Sequence, residues 1–298
     1  MITFLSGGTG TPKLLQGARR LIPDAEITVI VNTGEDIWYQ GGHISPDIDT
    51  VIYLFAGSLN TDTWWGIKGD SFVTHEAINM LLPDAFMSIG DKDRAVHLAR
   101  AEWLRGGMTL TQATKRLCSH FGAGGNILPM SDSEWTTYVR TKEGDIHFQE
   151  YWVRHRGNTD ISGVIHVPKR QPPATPEVID AIRRADAVII GPSNPVTSIL
   201  PILSCIGVRE ELAKKKVVAI SPFIGDSPVS GPAAQLMKTM GFKPDSTGVQ
   251  AVYADLVDLF IQDIRDTNLV QGSVRLDTLM KSPDIAEDLM REILSHVS

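Results

Sequence analysis

Residues 6–13, Ser6-Gly7-Gly8-Thr9-Gly10-Thr11-Pro12-Lys13, put small residues, hydroxyls and one ammonium into a single turn. Small residues let backbone N–H groups converge on an anion, and a helix that follows adds its positive N-terminal end. Thr9, Thr11 and Lys13 add hydroxyl donors and a charge. The loop lacks the Gly-Lys-Ser/Thr of a Walker loop, and Lys13 stands where the dinucleotide pattern needs a third glycine. The competing reading is a tight strand-to-helix turn. Gly191-Pro192-Ser193-Asn194-Pro195-Val196-Thr197-Ser198 repeats the arrangement at another strand end. Ligands of open α/β sheets collect beyond the carboxyl ends of the strands, so two such loops could hold two ends of one phosphorylated ligand. Ordinary turn chemistry with a helix cap by Asn194 or Thr197 is the alternative there.

A cluster of acids comes third: Glu35 and Asp36, then Asp47 and Asp49 in Pro46-Asp47-Ile48-Asp49-Thr50. Asp47 and Asp49 alternate, so an extended segment would face both to one side. Carboxylates beside a phosphate site are natural Mg²⁺ ligands, because the ion is hard and shares its shell with phosphates. N-capping of a helix beginning near Thr50 is the rival account. Gly90-Asp91-Lys92-Asp93-Arg94 could grip an acidic ring or phosphate, or could simply open a helix. Trp64-Trp65-Gly66 and the block from His147 to Arg154 offer aromatics that could stack on a flat heterocycle or pack a core. No His-Glu-x-x-His and no Gly-x-Ser-x-Gly occurs, which argues against a catalytic zinc and a serine elbow.

These residues need elements to position them. Ile2–Leu5 reads as a buried strand, then the Gly-rich turn, then an amphipathic helix to about Leu21, then a strand at Ile27–Val31. That rhythm opens a mostly parallel, doubly wound α/β sheet with helices on both faces. Helical spacing covers Thr74–Leu82, Asp91–Arg105 and Thr109–Phe121, with Thr109 and Gln112 as start signals. Between about Asn126 and Val167 the segments Trp135–Arg140, Ile146–Val153 and Gly163–Val167 favour strands of an antiparallel excursion. Pro176–Arg184 reads as a helix, Ala187–Ile190 and Val217–Ile220 as strands, Thr197 onward as a helix, and Pro283–His296 as a closing helix. The expectation is one α/β domain over 1–298, with a helical and antiparallel insertion at about 60–170.

The chain has 298 residues, with 28 Lys plus Arg against 35 Asp plus Glu and a net charge of −7. That balance does not suit a protein holding nucleic acid by non-specific attraction, but local loops can still bind a phosphorylated small molecule. Two cysteines, Cys118 and Cys205, make no disulfide framework and no metal spacing. The start carries no basic n-region or cleavage pattern, and no apolar run spans a membrane, so a cytoplasmic enzyme is expected.

Taken together, the motifs resemble the 2-phospho-L-lactate transferases. Gly7-Gly8-Thr9-Gly10, Asn32-Thr33-Gly34-Glu35-Asp36 and Pro46-Asp47-Ile48-Asp49-Thr50 stand in the family's order. So do Ile89-Gly90-Asp91-Lys92-Asp93, His147-Phe148-Gln149-Glu150 with Trp152-Val153-Arg154, and Pro192-Ser193-Asn194-Pro195, over nearly the whole chain. The resemblance implies a Rossmann-like core and a homodimer. It also implies Mg²⁺-dependent transfer of a phospholactyl group from lactyl diphosphoguanosine to the deazaflavin Fo, releasing GMP in coenzyme F-420 biosynthesis. Asp49 and Lys92 match positions that contact Fo; the second is often Arg, whose planar fork an ammonium lacks. The Gly7–Lys13 and Ser193–Thr197 loops would serve the guanosine diphosphate side. Asp36, Asp47 and Asp49 are the candidate metal ligands, and Asp49 is the expected catalytic carboxylate. Two rivals stand beside this: a nucleotide-sugar-binding regulator of related architecture, and an NAD(P)-dependent oxidoreductase.

Overall fold

The computed structural model describes residues 1–225, 227–229 and 231–297. Seven strands form the central sheet: β1 (Ile2–Ser6), β2 (Ile27–Val31), β3 (Asn126–Pro129), β4 (Ala187–Ile190), β5 (Lys216–Ile220), β6 (Leu259–Asp263) and β7 (Val274–Leu276). Their order is β7-β6-β5-β4-β1-β2-β3, and every pairing is parallel. Chain order reverses between β1 and β4, the place where doubly wound sheets bind ligands. Alternate residues of each central strand enter different cores: Leu5, Ile30, Val188 and Ala219 on one face, Phe4, Val29, Ile189 and Val218 on the other. A strand apolar on both faces must be covered twice, and helices do this here.

Helix α1 (Gly10–Leu21) follows the first turn, and α2 (Pro46–Phe55) follows a short antiparallel hairpin of Ile37–Tyr39 with Gly42–Ile44. Next come α3 (Val73–Leu81), α4 (Asp91–Arg105) and α5 (Leu110–Phe121). Thr109 and Gln112 form the expected capping box on α5, and Gly122 closes that helix at φ 65°. A separate antiparallel sheet pairs Thr136–Arg140 with Asp145–His147 on one side and Gly163–Val167 on the other. Among the described residues, no helix is long and apolar enough to cross a membrane.

Three expectations change. Asn126–Pro129 is not part of the antiparallel excursion but the parallel edge strand β3, ending at a proline that an edge tolerates. Only Asp145–His147 of the expected strand Ile146–Val153 is extended. Glu150–Arg154 is a helical turn, in which Glu150 and Arg154 pair at 3.0 Å while Phe148 and Tyr151, three apart, are buried together. The helix expected near Thr50 begins at Pro46, so Asp47 and Asp49 lie in its first turn. Strand β6 escaped notice because buried Gln262 and Asp263 interrupt its apolar run, and β7 because three residues with Arg275 exposed make no pattern. Asp263 accepts from Thr278 and Arg265, and Gln262 accepts from the Val270 N–H, so neither is left unpaired.

The C-terminal helix (Pro283–Val297) crosses α1 at Gly17, where a Cβ would fall 2.2 Å from the Ala286 carbonyl carbon. Gly17→Ala is therefore expected to destabilise the fold by about 1–3 kcal/mol, the usual cost of overpacking, measured as a lower urea midpoint. An unchanged midpoint would show that the two helices separate freely.

Candidate active site

The turns after β1 and β4 meet at the reversal point. The first passes through Gly8 at φ 56° and enters α1 at Gly10. In the second, the Asn194 side-chain oxygen accepts the Val196 N–H at 3.0 Å and so fixes the turn. Contact between them leaves no space for side chains: a Cβ on Gly10 would fall 1.9 Å from the Pro192 carbonyl, and one on Gly7 2.5 Å from Ser198 Cβ. Thr11 and Ser193 hydroxyls lie 2.6 Å apart, and Ser193 also donates to the Gly7 carbonyl. Gly7 and Thr11 thus join the turns to each other. Gly8, Thr9, Gly10, Lys13, Ser193, Asn194 and Thr197 line an open cavity of about 410 Å³. Lys13 reaches over the Trp64 ring at 5.2 Å, and its partial burial lowers its pKa.

Two residues apart on a helix means about 200° around the axis, so Asp47 and Asp49 diverge. Asp47 turns to the first loop, where it accepts the Gly8 N–H at 2.7 Å and the Asn32 amide at 2.9 Å. Burial raises it to about 6 despite those two bonds. Burial likewise raises Glu35, with the negative charge of Asp47 adding to the shift. Asp36 is also pushed up by burial, more than the Ser45 hydroxyl at 2.6 Å and Arg100 pull it down. Its Oδ1 is buried without a partner. The His147-Phe148-Gln149 block braces this turn. The Gln149 N–H donates to His147 Nδ1 at 3.0 Å, which leaves the ring proton on Nε2, 3.1 Å from the Asp36 carbonyl it bonds. The Gln149 amide donates to Glu35 at 3.2 Å.

Asp49 points the other way, to a second cavity of about 290 Å³ walled by Trp65, Phe86 and Trp152. Arg100, with no exposed surface, donates to Asp49 Oδ2 at 3.0 Å and, more closely, to Oδ1. His97 Nε2 lies 3.3 Å from both Asp49 and Asp93, and Tyr53 donates to Asp93 at 2.7 Å. Burial alone would raise Asp49, but Arg100 and His97 outweigh it and hold the carboxyl at about 2. Burial opposes the charge on His97 too, yet its two carboxylate neighbours lift it to about 9. Asp49, Asp93 and His97 are the one trio among the described residues whose possible ligand atoms all lie within 4.8 Å. Asp36, Asp47 and Asp49 make no such compact set. Lys92 is exposed beside Gly69 and outside the lining of this cavity, and its backbone N–H is capped by Asp70.

His97 and Arg100 did not emerge from sequence motifs, and Asp93 entered only as part of the Gly90–Arg94 run. Their signal is positional: spacings of four and three put them on one face of α4, together with buried Val96 and Ala101. Charged residues on the core side of a helix mark a paired interior cluster.

A parallel sheet in an extended Rossmann strand order, with two glycine-rich turns touching at its reversal point, defines a doubly wound α/β protein. The family model described as 2-phospho-L-lactate transferase CofD matches residues 2–290. The chain belongs to that family. It is 77% identical to a 2-phospho-L-lactate transferase of Methanospirillum hungatei, all of both chains being covered. Its identity is 55% with the Methanocorpusculum labreanum transferase, covering 99% of each chain, and 40% with that of Methanocaldococcus jannaschii, covering 99% and 97%. A solved UPF0052-family protein from Bacillus halodurans shares the fold. Its TM-score is 0.56 at 18% identity, over 88% of this chain and 79% of that one.

Arg100→Ala would leave buried Asp49 with only His97, which it shares with Asp93, as a cationic partner, at an expected cost of about 3–5 kcal/mol in unfolding free energy by chemical denaturation. A loss below about 1 kcal/mol would show that water reaches the pair. His97 is raised above its unfolded value of 6.5, so its stabilisation is complete below pH 6.5 and lost as pH rises through about 9. The wild type should lose stability across that window, and His97→Asn should flatten the loss.

Proposed function

We propose that this chain transfers a phospholactyl group from lactyl diphosphoguanosine to the terminal ribityl hydroxyl of Fo, releasing GMP. The observation that carries this reading is that the glycine-lined cavity and the aromatic cavity share Trp65 and Trp152 as a common wall. A diphosphate ligand and a flat tricyclic ligand would then meet at their reactive ends. Backbone N–H groups of Thr9 and Gly10, with Lys13, the Asn194 amide and the Thr197 hydroxyl, hold the diphosphate, while Gly8 and Ser193, engaged with Asp47 and Gly7, keep the two turns in place. Trp65, Phe86 and Trp152 pack the deazaflavin ring, and the exposed Lys92 ammonium, which lies beside Gly69 outside that lining, approaches its polar edge.

The ribityl oxygen forms a bond to the phosphorus bearing lactate as the bond from that phosphorus to the GMP oxygen breaks in line, and the hydroxyl proton passes to solvent. Placement and charge neutralisation dominate such transfers. A carboxylate held at about 2 is a hydrogen-bond acceptor and a weak base, so Asp49 aims the attacking hydroxyl. Mg²⁺ would draw on the other acids. Glu35, Asp36 and Asp47 are buried and mutually repulsive and Asp36 keeps one oxygen without a partner, hard oxygen donors of the kind such an ion takes, although the three do not gather into a compact ligand set among the described residues. Asp36 and Asp47 would hold it, whereas Arg100 and His97 already neutralise Asp49. When bound, the ion offsets negative charge on the phosphates.

Incubating the purified chain with Fo, lactyl diphosphoguanosine and Mg²⁺ should yield GMP and phospholactyl-Fo by mass spectrometry. Binding without product would favour the regulator reading instead. Asp49→Ala is expected to reduce turnover at least 100-fold while the chain stays folded, and near-normal rates would remove Asp49 from the mechanism.

A further inference from the structure

We infer that Arg100 and His97 are positioning residues: they fix the direction in which Asp49 presents its carboxylate to the aromatic cavity. The inference rests on the transfer reading above and assigns the residues that make its acceptor geometry rigid.

Arg100 grips both oxygens of Asp49 with its two terminal nitrogens, so the carboxylate plane is set by a fork rather than by a single bond. The same Nη1 donates to the His43 carbonyl at 2.9 Å, on the last strand of the hairpin before α2. Two residues on, Ser45 donates to Asp36 at 2.6 Å. One buried side chain on α4 therefore ties Asp49 to the stretch of backbone that also orients Asp36. His97 adds the third constraint, with its Nε2 equidistant from Asp49 Oδ2 and Asp93 Oδ1. Asp93 is anchored in turn by the Tyr53 hydroxyl from α2. Two carboxylates thus face one guanidinium and one imidazole within the cluster. With Arg100 on both oxygens of Asp49, the spacing that would suit a cation is already occupied by protein donors.

Such a frame acts through Asp49 and touches no substrate, and this determines its test. Arg100→Lys keeps the charge and loses the fork; His97→Asn keeps a neutral N–H donor group, and His97→Leu keeps none. Folding is monitored by circular dichroism, and binding of GDP reads the other cavity. Since misplacing a reacting group by about 1 Å costs on the order of 100-fold, Arg100→Lys and His97→Leu are expected to lower kcat by about 10- to 100-fold. GDP affinity should stay within about twofold of wild type, and His97→Asn should recover part of the loss.

The decisive comparison places each change on an Asp49→Asn background, reading kcat and also Fo affinity by deazaflavin fluorescence. With their target altered, Arg100→Lys and His97→Leu should cost little more, so the losses do not multiply. Multiplying losses, or wild-type kcat in folded Arg100→Lys and His97→Leu chains, would overturn the inference while leaving the transfer reading intact. If Arg100→Lys fails to fold, the His97 pair decides alone. A wild-type chain with no turnover of Fo would overturn the transfer reading, and this inference with it.

Discussion

Everything at this site depends on two backbone turns touching where the sheet reverses direction. Parallel strands β1 and β4 are neighbours, yet the chain leaves them towards opposite faces, so their terminal loops converge over the strand ends. Side chains on Gly7, Gly10 or Gly191 would collide with the facing loop, which is why the contact is made by backbone and by the Thr11–Ser193 hydroxyl pair. That closeness exposes the Gly8 N–H to Asp47 and brings the start of α2 onto the loop. Loosening the contact would separate the two glycine turns from each other and from the acids.

Burial then separates acids that look equivalent. Asp47, Asp36 and Glu35 sit in a low-dielectric pocket with neutral partners or none, and their proton affinities rise. Asp49, two residues further along the same helix, meets a guanidinium and an imidazole, and its proton affinity falls. Like residues in one short motif are thus driven to different chemistry by partners from other elements. Acids driven toward the neutral form collect where β2 ends and α2 begins, and balanced charge collects on the aromatic side.

The sheet was largely legible because β1, β2, β4 and β5 are continuous apolar runs ended by Gly, Asn or Ser-Pro turns, a pattern set by burial on both faces. The strand with polar interior residues, β6, was not, since Gln262 and Asp263 are paid for by tertiary hydrogen bonds that no local pattern records. The same division holds at the site. Glycine loops declare themselves by composition, and Asp47 and Asp49 by their motif. Helical geometry, absent from a reading of that motif as extended, sends the two acids to different cavities. Arg100 and His97 lay concealed because a charged residue on a helix reads as solvated until the face it occupies is known to be interior.

The tryptophan partition has a thermodynamic consequence. Trp65 and Trp152 belong to both cavities, so whatever fills one side meets rings that also bound the other. Linkage then requires reciprocity: the factor by which an occupant of the first compartment changes affinity in the second equals the factor in the opposite direction. Cooperation or antagonism between two ligands would therefore be a property of this partition, readable from equilibrium titrations without any chemical turnover.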